Sequence, residues 1–353
     1  MDISVAYGID QTSESLTVVK ARSAGRDFIF ETVYRADGPK GAHKAAAEIS
    51  ALSEEATNAR TTVIAAAMPA SRAVTRWLGT PFFALGKAMR VLPSMLDLQL
   101  PFPLESCFYS FAALGKEPGK GYRALAIASR RDDVYSRLKQ LKDCGVDPLV
   151  LDHEALALWH RATQEKAPTP NVFRVVLHAG PSAWTLVVGQ GSGFLSSHAF
   201  RIADENVEAS SMVPRIQRIL RSQCNAPDRT VEWIWTGTGM GGDRDREGIE
   251  SRLQEDRRIE FQLVKDPATF LARSLAAHAL SPDMTQWNLR RNEIEHPGWI
   301  RARTRSQRKA SVACMVVGLL LIATNLAWRS VLDRENRQAQ EQVTSLATEI
   351  TGL

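Results

Sequence analysis

The chain reads as a duplicated α/β protein, two lobes carried on one membrane-crossing helix, and three observations support this. The order βββαβαβα can be traced twice, once on each side of Lys166-Ala167-Pro168-Thr169-Pro170-Asn171, a stretch whose two prolines interrupt the periodic patterns as a linker does. The run Val312 to Trp328, VACMVVGLLLIATNLAW, carries no charge. With Ser311 it spans about 27 Å as a helix, close to the ~30 Å hydrocarbon core of a bilayer. At roughly 150 residues per domain, the part of the chain before that run accommodates two lobes.

The first lobe, residues 1–165, opens with three strand-like runs, Ile3 to Ile9, Leu16 to Ala21 and Phe28 to Tyr34, separated by polar or Gly-containing turns. His43 to Asn58 follows as a helix, with Ala46, Ile49, Ala51, Leu52 and Ala56 as its apolar stripe. Thr62 to Ala67 is a buried strand. An insert at about 69–121 then holds a strand Val74 to Leu78, an amphipathic helix Phe82 to Leu92, a proline-rich join Leu100 to Leu104 and a strand Cys107 to Leu114. The lobe closes with a strand Ala124 to Ala128, a helix Asp132 to Lys142 stopped by Gly145, a strand Pro148 to Leu151 and a helix His153 to Ala162. Asp132 and Asp152 are the expected N-terminal caps of the two helices.

The second lobe, residues 172–285, repeats the order. Phe173 to Leu177, Trp184 to Val188 and Phe194 to Phe200 are strands, Glu205 to Cys224 a helix, and Val231 to Trp235 a strand. Gly248 to Glu255 is helical, Ile259 to Val264 a strand, and Pro267 to Leu280 a helix with proline at its start. Gly180-Pro181-Ser182 and Gly191-Ser192-Gly193 read as hairpin turns. Two such units, each a mixed sheet flanked by helices, describe the architecture of the actin, Hsp70 and sugar-kinase group, with a cleft between lobes.

Residues 286–311 form a basic juxtamembrane linker, 312–328 the membrane helix and 329–353 a helical tail. Arg301, Arg303, Arg305, Arg308 and Lys309 precede the apolar run with no acidic residue among them, whereas Arg329, Asp333, Arg334 and Glu335 after it mix signs. Positive-inside bias therefore puts the body in the cytoplasm and the tail across the membrane. Met1-Asp2-Ile3-Ser4 lacks the basic n-region of a cleaved signal peptide. Those five cations equal the net charge of +5. Attraction to anionic lipid accounts for them, and nucleic-acid binding is not expected. Cys107, Cys144, Cys224 and Cys314 stand singly, which argues against a disulfide framework and a zinc site. In the tail, Leu332, Asn336, Ala339, Val343, Leu346, Ile350 and Leu353 are spaced 4, 3, 4, 3, 4, 3, an a/d seam for pairing with another helix, of this chain or of a second anchored protein.

Several motifs resemble one family in their order. Met68-Pro69 with Val74-Thr75-Arg76-Trp77-Leu78, then Arg90-Val91-Leu92-Pro93 and Leu98 to Glu105, is similar to the small-subdomain region of the pilus assembly protein PilM and the type II secretion protein GspL. Gly8-Ile9-Asp10-Gln11-Thr12-Ser13-Glu14-Ser15-Leu16 resembles the PilM opening, and Trp287-Asn288-Leu289-Arg290 the Asn-Leu-Arg motif that precedes the membrane helix in GspL and in PilN. A PilM-like body joined to a PilN-like anchor is similar to GspL. The resemblance implies a single-pass inner-membrane scaffold of a type II secretion or type IV pilus machine, with a periplasmic tail. It implies docking of a cytoplasmic assembly ATPase (GspE/PilB-like), contacts with GspM/PilO-like and GspF/PilC-like membrane proteins, and a homodimer. Trp77, Phe82, Phe83 and Met89 are the candidate docking residues, since aromatic and Met side chains are enriched in interface cores.

Actin-like enzymes hold nucleotide phosphates between two strand-turn-strand loops, with glycines for close approach and carboxylates that organise magnesium. Here Gly8 and Asp10 are kept, with Ser13 in the turn, but Thr12 stands where the family has glycine. In the second loop, His178 replaces an aspartate, Gly180 remains, and Pro181 removes a backbone donor. Gly237 and Gly239 sit in a third, adenosine-side turn. These residues allow ATP binding without hydrolysis, and neither a resident metal nor a catalytic residue is expected. A membrane-tethered ATPase of the sugar-kinase type and a ligand-sensing regulator are the competing readings.

Overall fold

The duplication is the plan of the body. In the computed structural model, strands β1 (Val5–Gln11), β2 (Ser15–Ala24), β3 (Asp27–Asp37), β4 (Thr62–Met68) and β8 (Val150–His153) form one sheet in the order β3-β2-β1-β4-β8. Strands β9 (Phe173–Ala179), β10 (Ala183–Gln190), β11 (Gly193–Arg201), β12 (Val231–Gly237) and β13 (Ile259–Leu263) form a second, in the equivalent order β11-β10-β9-β12-β13. In both, the first strand pairs antiparallel with the second and parallel with the fourth. The near-continuous apolar runs of β4 and β9 fit central strands covered on both faces. The structure describes residues 3–13, 15–25, 27–38, 61–167, 169–202, 209–224, 230–239, 243–255, 258–281 and 284–352. The expected helix His43 to Asn58 lies outside them.

The helices that end each half cross over. Helix α3 (Glu154–Glu165), from the first half, packs on β9, β10 and β11, whereas α6 (Phe270–Ala279), from the second, packs on β1, β2 and β4. Both are buried along most of their length, as helices apolar on nearly every face must be. Two glycines make room. A Cβ on Gly8 would lie 1.9 Å from the Ala272 carbonyl oxygen, and one on Gly189 2.1 Å from the Trp159 ring. This exchange explains why residues up to His296 form one compact unit, with Pro297–Leu353 a second. At the linker, Arg174 donates to the carbonyls of Ala162 and Lys166 and to Glu232, tying the end of α3 to β9 and β12.

The insert is an antiparallel sheet β5-β7-β6 (Ala73–Thr80, Gly121–Arg130 and Cys107–Glu117) covered by α1 (Leu85–Asp97). The expected helix Phe82 to Leu92 starts later and runs on through Pro93. Ala88, Leu92 and Leu96 keep one buried stripe on both sides of the proline, against Leu78, Ala124, Ala126 and Ala128. That burial outweighs the single hydrogen bond proline removes.

Other boundaries also differ from expectation. Helix α2 (Arg131–Asp143) and α3 have Arg130 and His153 at their N-caps, not Asp132 and Asp152. Asp152 is committed elsewhere: its carboxylate pairs with His278 of α6 and accepts from the His153 N–H. The His153 ring caps α3, Nδ1 accepting from the Ala155 N–H at 3.1 Å. Helix α4 (Val213–Gln223) begins later than Glu205, after a 3-10 turn Ala209–Met212 and with Pro214 in its first turn. Residues 205–208 lie outside the described set. Helix α5 spans Asp243–Gln254, and Pro267–Thr269 is a 3-10 turn ahead of α6.

Residues 286–311 are not one linker. After α7 (Met284–Trp287), Asn288-Leu289-Arg290 lies along the free edge of β8. The Leu289 N–H donates to the Leu151 carbonyl at 2.9 Å, and the Leu151 N–H donates to Asn288 Oδ1 at 3.0 Å. Asn288 Nδ2 reaches the Leu149 carbonyl, and Arg290 reaches Asp147 and the Pro148 carbonyl. Leu289 is buried. From Pro297 to Thr351 the second unit is a single helix, α8, 55 residues long.

Candidate functional site

A cavity of about 880 Å³ opens between the two sheets at the carboxyl ends of β1, β4, β9 and β12. It brings together Asp10, Thr12, Ser13, His178, Gly180 and Gly237 as anticipated. Gly8 and Gly239 are not on its wall. Gly8 faces α6, and Gly239 lies against the Gly180 carbonyl, which a Cβ would approach to 2.1 Å. Gly237, at φ +87°, passes the Ala179 carbonyl equally closely, so both turn glycines answer to chain packing.

Among the described residues, several main-chain donors of these turns are paired within the protein. The β1–β2 turn is closed by Thr12, whose N–H donates to the Ser15 carbonyl and whose Oγ1 accepts from the Ser15 N–H at 2.9 Å. The Gly180 N–H donates to the Ala183 carbonyl at 3.0 Å, and the Gly239 N–H to the Ala179 carbonyl at 2.8 Å. His178 is buried, its Nδ1 3.4 Å from Thr236 Oγ1.

Sequence reasoning missed the groups that set the electrostatics. Arg137 of α2 is 5% exposed and turns its guanidinium into the cleft floor. Its Nε donates to the Ala67 carbonyl at 2.9 Å, Nη1 to Gln11 Oε1 at 2.5 Å and Nη2 to the Gln11 carbonyl at 3.1 Å. Burial lowers its pKa to about 10, against the charges of Asp10 and Glu154, which favour the cation. Asp10 is raised above the ordinary carboxylate value by burial, which His178 opposes, Glu154 reinforces and Arg137 opposes. Glu154, at the start of α3, accepts from the Ala70 N–H at 2.9 Å. A signal was present: Val134, Arg137 and Leu141 are spaced 3 and 4, so the arginine occupies a place in an apolar stripe. A magnesium-bound nucleotide requires open amide donors and acidic metal ligands. Here the Thr12, Gly180 and Gly239 amides are paired and a guanidinium is bound at the floor, which departs from that set.

The docking candidates divide. Phe82, Phe83 and Met89 are exposed, at 36%, 57% and 40%. Trp77 is not available. Its Nε1 donates to the Phe194 carbonyl of β11 at 3.2 Å, and the Arg123 guanidinium lies 4.1 Å from its ring centre. With Thr75 Oγ1 3.1 Å from Ser197 Oγ, it joins the insert sheet to the second half. In α8, Leu319 to Ile322 are about 60% exposed, within one helix long and apolar enough to cross a membrane. The seam residues Leu332, Val343, Leu346 and Ile350 are exposed as well; Leu353 is outside the described residues.

Two mixed five-stranded sheets of equivalent strand order, facing each other across a cleft with exchanged helices, define an actin-like fold. No family model matches the chain, and neither does any curated protein. Among solved structures the fold is similar to that of the PilM–PilN type IV pilus biogenesis complex, at 18% identity and a TM-score of 0.60, over 80% of this chain and 100% of that one. It is also similar to the cytoplasmic domain of EpsL, an inner membrane component of the type II secretion system of Vibrio cholerae, at 13% identity and a TM-score of 0.50, over 82% and 100%.

Proposed function

We propose that the chain is a non-catalytic, single-pass inner-membrane scaffold of a type II secretion or type IV pilus assembly machine. The observation that carries this is the union, in one polypeptide, of a body similar in fold to the PilM–PilN complex and to EpsL with a helix whose apolar stretch is exposed on all sides. The five cations before the apolar run put the body in the cytoplasm and the tail in the periplasm. Phe82, Phe83 and Met89 supply the cytoplasmic docking surface for an assembly ATPase. The tail pairs in parallel with a second copy or with another anchored protein. Its a positions, Asn336, Val343 and Ile350, alternate with d positions that include Leu332 and Leu346, the composition that favours two strands. Nucleotide hydrolysis is not its task, a reading supported by the internal pairing of the Thr12, Gly180 and Gly239 amides and by His178 in place of the carboxylate of the second loop.

Affinity purification from native membranes tests the assignment. A hexameric ATPase should co-purify, and the Phe83→Asp variant should lose it while keeping its membrane partners. Recovery of the intact protein without any ATPase would favour a ligand-sensing regulator. Magnesium-dependent ATP turnover that disappears in Asp10→Ala would overturn the scaffold reading.

A further inference from the structure

Arg137 does more than fill a stripe on α2. Its three donating nitrogens bind the carbonyls of Ala67 and Gln11 and the Gln11 side chain, fixing the guanidinium where β1 and β4 end. Those ends carry or adjoin the acids of the cleft floor: Asp10 immediately precedes Gln11, and Glu154 is held there by the Ala70 N–H just beyond β4. All four residues, Asp10, Gln11, Arg137 and Glu154, line the same cavity. Glu154 is buried and Asp10 half-buried, and without a cation nearby the two acids would repel each other and carry an uncompensated desolvation cost. In a cleft of this architecture a divalent ion is the usual remedy, since oxygen ligands suit magnesium.

We infer that Arg137 is a built-in counter-cation, taking the charge role of a divalent metal ion at the ends of β1 and β4, so that the cleft neither recruits magnesium nor needs it. A planar guanidinium suits the position better than a hydrated ion, because its fixed fork matches carbonyl acceptors in a crowded floor and it holds its charge when desolvated. The ends of β1 and β4 are thereby held without a bound metal ion.

The test uses the full chain in detergent micelles, with manganese as a paramagnetic stand-in for magnesium. The wild-type protein should show no saturable manganese binding at millimolar concentration, and its unfolding midpoint should not move with manganese or with magnesium and ATP. Arg137→Gln should lower the midpoint by roughly 5–10 °C, since removing one member of a buried charge group leaves the others unpaired. Adding Asp10→Asn to Arg137→Gln should recover at least half of that loss, because the acid that needed the cation is gone. A role limited to hydrogen bonding of Gln11 and Ala67 predicts the opposite, a double variant no better than the single one. That result, a double variant that does not fold, or manganese binding by the wild type that Asp10→Asn abolishes would each overturn the inference.

Discussion

Replacing Asn288 with alanine tests whether the strand-edge segment is a structural part of the body. Asn288 is 7% exposed and makes three hydrogen bonds: Oδ1 accepts from the N–H groups of Leu151 and Arg290 at 3.0 and 2.9 Å, and Nδ2 donates to the Leu149 carbonyl at 3.2 Å. Each such bond contributes about 1 kcal/mol net, and a buried N–H left unpaired costs ~1–3 kcal/mol. Leu151 lies in β8, the last strand of its sheet, so after truncation no strand replaces the lost acceptor. A loss of about 3 kcal/mol follows, equivalent to a fall of roughly 5–10 °C in Tm. Urea unfolding of the full chain in detergent measures the stability, and hydrogen exchange over Val150–His153 reads the amide directly. The Leu151 amide should exchange far faster in the variant, while those of β1 and β4 keep their ranking. A stability loss below ~1 kcal/mol with unchanged exchange at Leu151 would refute the reasoning.

Other perturbations follow from the same geometry. Gly8→Ala forces a Cβ onto the backbone of α6, 1.9 Å from the Ala272 carbonyl, and should destabilise by about 3 kcal/mol or more in a denaturant titration, whereas Gly86→Ala, which meets nothing within 4 Å, should be neutral or better. Arg174→Met leaves the 12%-exposed Glu232 carboxylate with Lys166 as its remaining cation and frees two helix-end carbonyls, so a loss of ~1–3 kcal/mol is expected by the same titration. Burial alone would raise the Asp147 pKa, but hydrogen bonds from His296 and Arg290 together with their charges outweigh it and hold the carboxyl at about 2. A depressed carboxyl stabilises the fold above its unfolded pKa near 4, and this is lost as pH falls toward about 2. The urea midpoint of wild type should therefore drop more steeply between pH 4 and 2 than that of Asp147→Asn. In the tail, Val343→Cys should form oxidised dimers readily and Thr344→Cys should not, if two copies pair along the a/d seam; equal cross-linking by both would exclude that register.

Among the described residues, much of the element order was readable because alternation and helical periodicity report which face is buried, but the strand Ala124 to Ala128, read as part of the first lobe, is the middle strand of the insert sheet. The hairpin turns at Gly180 and Gly191 were readable for a related reason, turn chemistry being local. Long-range partners were not. Asp152 has the chemistry of a cap, yet its carboxylate is taken by His278, 126 positions away. Pro93 signals a helix end, yet the stripe of Ala88, Leu92 and Leu96 finds a sheet to cover on both sides of it. In the cleft, Asp10 and His178 were identified, but Arg137 came from a helix with no motif. Gly8 was named for the right conformational reason and the wrong neighbour, a helix backbone in place of a phosphate.

The exchanged terminal helices bear on how the polypeptide is made. Among the described residues α6 is the helix that covers β1, so the face it packs on waits, open, until Phe270–Ala279 leaves the ribosome. Neither half can mature alone. Because the apolar stretch of α8 follows within a few dozen residues, the core is completed and that stretch emerges at almost the same time.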